Sequence, residues 1–415
     1  MKSDLDRLMR ERELDAIVVT GGEEFNSARY YLSSGAQITH GSIFKGRDKP
    51  ALLVCNRMEL EEAKKSGLDV KTAVELGYYD RLEEAESDAI RATALHWSDI
   101  LRGLGLREGR VGLYGTWAIN KTVALYRALR EQLPQYEFVV EEKSTLIEAA
   151  MLTKDADEIA RLRSVAERTN QAMAVAWDAI ADLRAENDYL LDAAGRRATI
   201  GDIKDLVRRE LMARGLEDTN MIFAQGRDAG FPHSRGEADM PLRLGQSIVF
   251  DLFPRELGGG YHHDMTRTWC IGYAPPEVQA AYDTVMEVFD IAVEAYGLNK
   301  PTHLMQEAAL DHFEAAGHAT TRADQGTMEG YLHSLGHGVG IEIHEGPSIS
   351  HLRQDDVFQI GNVLTIEPGL YYPERGYGVR VEDLFIVDEN GELVSLTPFR
   401  KDLVIPLKQA DGLAQ

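Results

Sequence analysis

Cysteine is nearly absent, with Cys55 and Cys270 the only two in 415 residues. They lie far apart and fall in different predicted domains, which excludes a disulfide framework. Long apolar runs are missing as well. No stretch approaches the roughly 18 residues needed to cross a bilayer, so no membrane partner is expected. Basic residues are scarce beside acids, 45 Lys and Arg against 68 Asp and Glu, for a net charge of −23. That balance argues against a nucleic-acid partner, whose phosphates need basic patches, and it favours solubility. The segment Met1-Lys2-Ser3-Asp4-Leu5-Asp6 is charged and lacks the apolar core of a secretory signal. The expected location is cytoplasmic. Fixed-period repeats and low-complexity linkers are also lacking.

What remains is ordinary globular material, 44% hydrophobic and 27% charged. The chain is too long for one core, so two domains are expected. Over residues 1–150, strand and helix signals alternate. Leu14–Thr20, Ala51–Cys55, Arg110–Tyr114 and residues 136–141 read as strands; Met58–Ser66, 84–103 and 118–131 read as helices. This alternation predicts an α/β domain with a largely parallel or mixed sheet. It gathers no catalytic residue types, which suits a structural or oligomerising role.

Residues 151–415 differ in character. Asp155-Ala156-Asp157-Glu158 carries the signature of a helix start, and Ile159, Leu162, Val165 and Ala166 follow at helical spacing to about Leu183. Further helices are predicted from Thr199 to Gly215, from Pro275-Pro276 to Gly297, and from Thr302 to Gly317. The segments 247–253, 263–272, 361–371 and 378–387 read as strands. Helices over a mostly antiparallel sheet predict an α+β domain.

Five side chains in those segments carry the chemistry: Asp251, Asp264, His337, Glu367 and Glu382. Asp251 and Asp264 flank Pro254–Gly260, which reads as a turn centred on Leu257 and Gly258, with the two acids facing one another. Glu367 and Glu382 repeat the arrangement around Glu374-Arg375-Gly376. Opposed strand residues have Cβ atoms roughly 5 Å apart, and four converging carboxylates repel unless cations lie between them. The pattern therefore predicts a binuclear metal site. Gly336 and Gly338 flank His337, permitting close backbone approach and unusual dihedrals. Arg380 shares a strand face with Glu382 and is placed to orient a ligand carboxylate. Asp383 faces the other way. His333 and His351 read as loop or surface histidines.

The motifs Asp264-Met265-Thr266-Arg267-Thr268, Gly336-His337-Gly338-Val339-Gly340, Glu367-Pro368-Gly369 and Arg380-Val381-Glu382-Asp383, in this order after Asp251, resemble the pita-bread metallopeptidases. That family includes methionine aminopeptidases, aminopeptidase P and prolidases. The resemblance covers roughly 150–405. The preceding domain resembles the creatinase/prolidase N-terminal domain, with Arg29-Tyr30-Tyr31-Leu32 near its tyrosine-leucine element. The resemblance implies that Asp251 chelates one metal, Asp264 and Glu382 bridge, and His337 and Glu367 serve the other. It also implies that His233 and His344 contact substrate and stabilise the tetrahedral intermediate. The activity implied is hydrolysis of a peptide or dipeptide at an Xaa-Pro bond by a hydroxide bridging two divalent ions. An oxygen-rich site with one imidazole suits manganese or cobalt, and zinc also fits. A homodimer is implied too.

Two departures stand out. The family's first ligand usually begins Asp-x-Gly, whereas here the run is Asp251-Leu252-Phe253 and the turn is longer, with parity kept. Dipeptide-specific prolidases often place an arginine just after the His-Glu-x-Pro element, where this chain has Ser348. An Xaa-Pro aminopeptidase is therefore expected over an Xaa-Pro dipeptidase. Other enzymes of the fold cleave non-peptide C–N bonds, so a small amide is the alternative substrate. Relatives that serve as binding modules have lost the ligands this chain keeps.

Overall fold

The strand signals of the first half assemble into one mixed sheet. In this computed structural model, which describes residues 1–408, the chain divides into two compact units, Met1–Met151 and Leu152 onward. The first contains strands β1 (Ala16–Val19), β2 (Gly41–Gly46), β3 (Ala51–Cys55), β4 (Asp69–Thr72), β5 (Gly109–Tyr114) and β6 (Tyr136–Val139), in the order β4-β3-β2-β1-β5-β6. The β1–β2 and β2–β3 pairs are antiparallel and the rest parallel. Helices α1 (Ala89–Gly103) and α2 (Ile119–Gln132) contribute Trp97, Leu101, Leu125 and Leu129 to the core over this sheet. The helix expected over 84–103 starts only at Ala89, because a separate helix, Tyr78–Glu84, ends before Glu86 and Ser87 take positive φ and Asp88 caps the new start by accepting from the Ile90 and Arg91 N–H groups. Neither β2 nor β4 was expected from the sequence.

In the second unit, α3 (Ala156–Ala181) begins at the predicted cap. Asp155 accepts from the Asp157 and Glu158 N–H groups while Glu158 accepts from Asp155 N–H. Helix α4 (Ile200–Ala213) repeats the device with Thr199 and Asp202, and α5 (Pro276–Ala295) and α6 (His303–Ala315) follow. A four-stranded sheet joins β7 (Ile222–Gln225), β8 (Ser247–Leu252), β9 (Met265–Ile271) and β17 (Val404–Ile405), in that spatial order. A five-stranded one runs β11 (Glu345–Ile349), β10 (Gly336–Gly338), β12 (Val363–Ile366), β15 (Asp383–Val387) and β16 (Leu393–Ser395). Strands β13 (Gly369–Tyr372) and β14 (Tyr377–Arg380) form a separate pair. Val285, Phe289, Phe313, Tyr331, Leu364 and Phe385 meet in one core between α5, α6 and these strands.

Both long strands expected at 361–371 and 378–387 are interrupted where their acids lie. The register Ile366↔Asp383 of β12 and β15 continues unchanged as Gly369↔Arg380 in β13 and β14. Glu367 and Glu382 occupy the gap, where Pro368 has no N–H to contribute to a ladder. The first hairpin differs more. Asp251 faces Thr266, not Asp264. The linking segment is not a simple turn: Arg255-Glu256 pairs with Leu216-Glu217, and three glycines at positive φ, Gly258 to Gly260, carry the chain back. The offset is two residues, so Asp251 and Asp264 keep the same face. No helix among the described residues is long and apolar enough to cross a membrane.

Candidate metal centre

The ligand candidates lie in strands, beside a strand end or in a break between ladders. Asp251 is in β8 and Asp264 immediately precedes β9; His337 is the middle residue of β10; Glu367 and Glu382 fill the gap just described. Asp264, His337 and Glu382 each offer an atom within 4.8 Å of the others, enough to hold a metal ion. Glu367 joins them, its Oε1 at 3.5 Å from His337 Nε2, while Asp264 Oδ2 lies 3.6 Å from the same nitrogen. Asp251 instead turns to Arg380, whose Nη2 donates to its Oδ2 at 2.6 Å.

Glycine on both sides of His337 is required by space. A Cβ at Gly336 would lie 2.0 Å from the Thr365 carbonyl oxygen, and one at Gly338 1.9 Å from that of Gly346. The unusual dihedrals expected there do not occur; neither glycine has positive φ. The His337 Nδ1–H donates to the Gly338 carbonyl at 3.0 Å, leaving the Nε2 lone pair for the carboxylates. Burial, then His344 nearby, pushes the His337 pKa down to about 4, keeping the ring neutral.

A neutral nitrogen and several carboxylates facing one another leave more acceptors than donors. Oδ1 of Asp251 and Oδ1 of Asp264 are buried with no hydrogen-bond partner. Burial raises Asp264 well above the usual carboxylate range, and Glu382, Asp251 and Glu367 add to the rise. Glu367 is raised well above its range by burial and by Glu382. Glu382 is pushed up to about 8 by burial and by Asp251. Such a set fits divalent cations, which would satisfy the orphaned oxygens and remove the repulsion.

Arg380 organises the rim. Besides Asp251, it reaches the Pro232 carbonyl (3.2 Å), the Tyr371 hydroxyl (3.0 Å) and Thr266 Oγ1 (3.0 Å). Thr266 in turn donates to Glu382 Oε2 at 2.8 Å. Asp383 points away as expected, paired with Arg267 at 2.8 Å. His344 stands edge-on to His337, ring centroids 4.4 Å apart, and His233 occupies an exposed turn just after Pro232. His233 is an electrostatic neighbour of both Asp251 and His344.

The sequence reading missed His333, Tyr371 and Thr266. His333 is not a surface residue: its Nε2 accepts from the Tyr371 hydroxyl at 2.8 Å, and its Nδ1 lies 3.9 Å from Glu367 Oε2. Its position four residues before His337 was the one available signal. Tyr371 and Thr266 looked like ordinary strand residues.

Residues 160–389 match the family model described as Metallopeptidase family M24, and residues 2–149 that of the Creatinase/Prolidase N-terminal domain. The chain belongs to metallopeptidase family M24. It is a metallopeptidase with the pita-bread fold behind a creatinase-type N-terminal domain. An Xaa-Pro dipeptidase of Lactobacillus delbrueckii subsp. lactis is 28% identical over 415 residues, 98% of this chain and 100% of that one. The Xaa-Pro dipeptidase structure from Bacillus anthracis superposes with TM-score 0.74 at 22% identity, over 97% of this chain and 99% of that one. The X-Pro aminopeptidase structure from Thermotoga maritima gives TM-score 0.72 at 22% identity, again over 97% and 99%. Dipeptidase and aminopeptidase thus share this M24 fold. M24 enzymes use divalent metals, and Asp264, His337 and Glu382 form a site able to hold one.

Proposed function

We propose that this metallopeptidase hydrolyses the bond between an N-terminal residue and a following proline, acting on peptides longer than a dipeptide as an Xaa-Pro aminopeptidase. The convergence of Asp264, His337, Glu367 and Glu382 carries the hydrolytic reading. Full-length similarity to a protein named Xaa-Pro dipeptidase supports the proline preference. Ser348 supports the longer substrate. It is the direct cross-strand partner of His337, so it borders the centre on the same sheet face, and it brings no positive charge to hold a dipeptide's carboxylate.

Asp251, Asp264 and Glu382 would hold one divalent ion, and Asp264, Glu382, His337 and Glu367 the other, manganese or cobalt by preference with zinc also suited. When bound, the ions would supply a nucleophilic water at neutral pH and polarise the scissile carbonyl. Glu367, partly buried beside the His337 ring, takes the proton released as the C–O bond forms and passes it to the departing prolyl nitrogen. His233 and His344 donate to the carbonyl oxygen as it becomes negative. Arg380 holds Asp251 and, through the Pro232 carbonyl, the turn bearing His233. We further place the enzyme in the cytoplasm as a homodimer; light scattering that reads a fully active monomer would overturn the assembly.

The deciding test is hydrolysis of Ala-Pro and Ala-Pro-Ala by metal-stripped enzyme with Mn(II), Co(II) or Zn(II) restored. Turnover of the tripeptide is expected. Cleavage of the dipeptide alone would make it a dipeptidase. Cleavage of neither would move a small amide to the front.

A further inference from the structure

We infer that the buried ion pair of Lys154 and Glu345 positions the His344 imidazole; the inference rests on the role proposed for His344 above. His344 lies on a turn between β10 and β11, outside both strands. The next residue, Glu345, has a buried carboxylate, and its Oε2 receives Lys154 Nζ at 2.7 Å with side-chain exposures of 6% and 1%. Its other oxygen accepts the Glu342 N–H at 3.0 Å. A Cβ on Gly340 would lie 2.4 Å from Oε2 and 2.5 Å from Oε1, so the carboxylate is pressed flat against the start of the turn. One carboxylate thus grips the turn at Gly340, at Glu342 and at its own backbone beside His344.

Lys154 is anchored from behind. Its N–H donates to the Gly361 carbonyl at 2.8 Å, and a Cβ on Gly361 would meet the Lys154 carbonyl oxygen at 2.9 Å. Asn362 adds a bond from Nδ2 to the Leu152 carbonyl at 2.9 Å. Gly361 and Asn362 lead into β12, and Glu367 is the first residue after that strand. The pair therefore ties the His344 turn to the strand that delivers Glu367. A buried pair contributes little net stability compared with apolar residues of equal volume. Apolar replacements would not keep a carboxylate on the Glu342 N–H.

The test is a double-mutant cycle on Ala-Pro-Ala hydrolysis by the metal-loaded enzyme. E345Q keeps the shape and removes the charge; K154M removes the partner. Each should lower kcat by roughly ten- to a hundredfold, the scale of an ångström-level misplacement. KM and the number of divalent ions bound, read by calorimetry, should stay unchanged, and K154R should restore most of the rate. In an H344A background neither change should slow the enzyme further. Wild-type kcat in E345Q, or the same loss in the H344A background, would reduce the pair to scaffolding and overturn the inference. If K154M does not fold, E345Q carries the cycle. If wild type cleaves no proline peptide, the proposed function fails separately. The His344 imidazole NMR signals of zinc-loaded wild type and E345Q then decide: shifted signals sustain the positioning role and identical ones overturn it.

Discussion

Arg380 Nη2 lies 2.6 Å from Asp251 Oδ2, both side chains almost wholly buried. The same guanidinium reaches the Pro232 carbonyl, the Tyr371 hydroxyl and Thr266 Oγ1, so one side chain spans the candidate centre from a carboxylate to the turn carrying His233. Lysine cannot reproduce that fork, because its ammonium is a single point of donation. R380K should therefore lower kcat/KM by about a hundredfold or more and weaken the binding of one of two divalent ions. Calorimetric titration with Mn(II) alongside kinetics checks this; wild-type rate and two undisturbed binding steps would contradict it.

Glu382 meets both Asp251 and Asp264 electrostatically within a buried site. Stripped of divalent ions, the protein carries that repulsion, offset by the Arg380 charge and by the Thr266 hydroxyl that donates to Glu382. E382Q should raise the Tm of the stripped protein yet abolish the Tm gain on adding Mn(II), along with turnover. Scanning calorimetry of both proteins, with and without Mn(II), measures all of these. A metal-induced Tm gain of wild-type size in E382Q would remove Glu382 from the ligand set.

Ser348 faces His337 across β10 and β11. An arginine there would project a guanidinium toward the same face, where the free carboxylate of an Xaa-Pro dipeptide would lie. S348R should raise the ratio of Ala-Pro to Ala-Pro-Ala kcat/KM by at least about tenfold, as expected for one charge-assisted bond worth about 1.5 kcal/mol or more. An unchanged ratio would show that carboxylate selection happens elsewhere.

In the first unit, His96 is buried with Nε2 unpartnered and stands edge-on to Tyr78, centroids 5.5 Å apart. Burial lowers its pKa below the ordinary value. The unfolded chain thus binds a proton that the folded one refuses. The contribution to stability is present above pH ~6.5 and is lost as pH falls through the lowered folded value. H96F should flatten this part of the pH dependence of urea unfolding between pH 8 and 5. An identical slope in wild type and H96F would exclude His96 as its source.

Much of the candidate site was legible because ligand chemistry demands particular residue types in a fixed order. Asp251, Asp264, His337, Glu367 and Glu382 could be named as soon as the strands around them were read, and parity kept Asp251 and Asp264 on one face even though their register was two residues off. The caps at Asp155 and Thr199 and the proline start of α5 were equally local signals. His333 was not legible, since a histidine reads the same whether it faces solvent or donates and accepts within a buried chain to Tyr371. Strands β2 and β4 escaped for a related reason: short, glycine-containing or charged segments become strands only when neighbours pair with them.

The sequence by itself determined which side chains are available for metal and proton chemistry, because residue type and order are covalent facts and strand parity is a short-range one. Only the tertiary structure decided that Asp251 turns to Arg380 while Asp264, His337 and Glu382 draw together, and that Lys154 reaches Glu345 across nearly two hundred positions. Those pairings depend on how separate ladders meet in space, and on which buried charges find a partner there; no local pattern of residues encodes either.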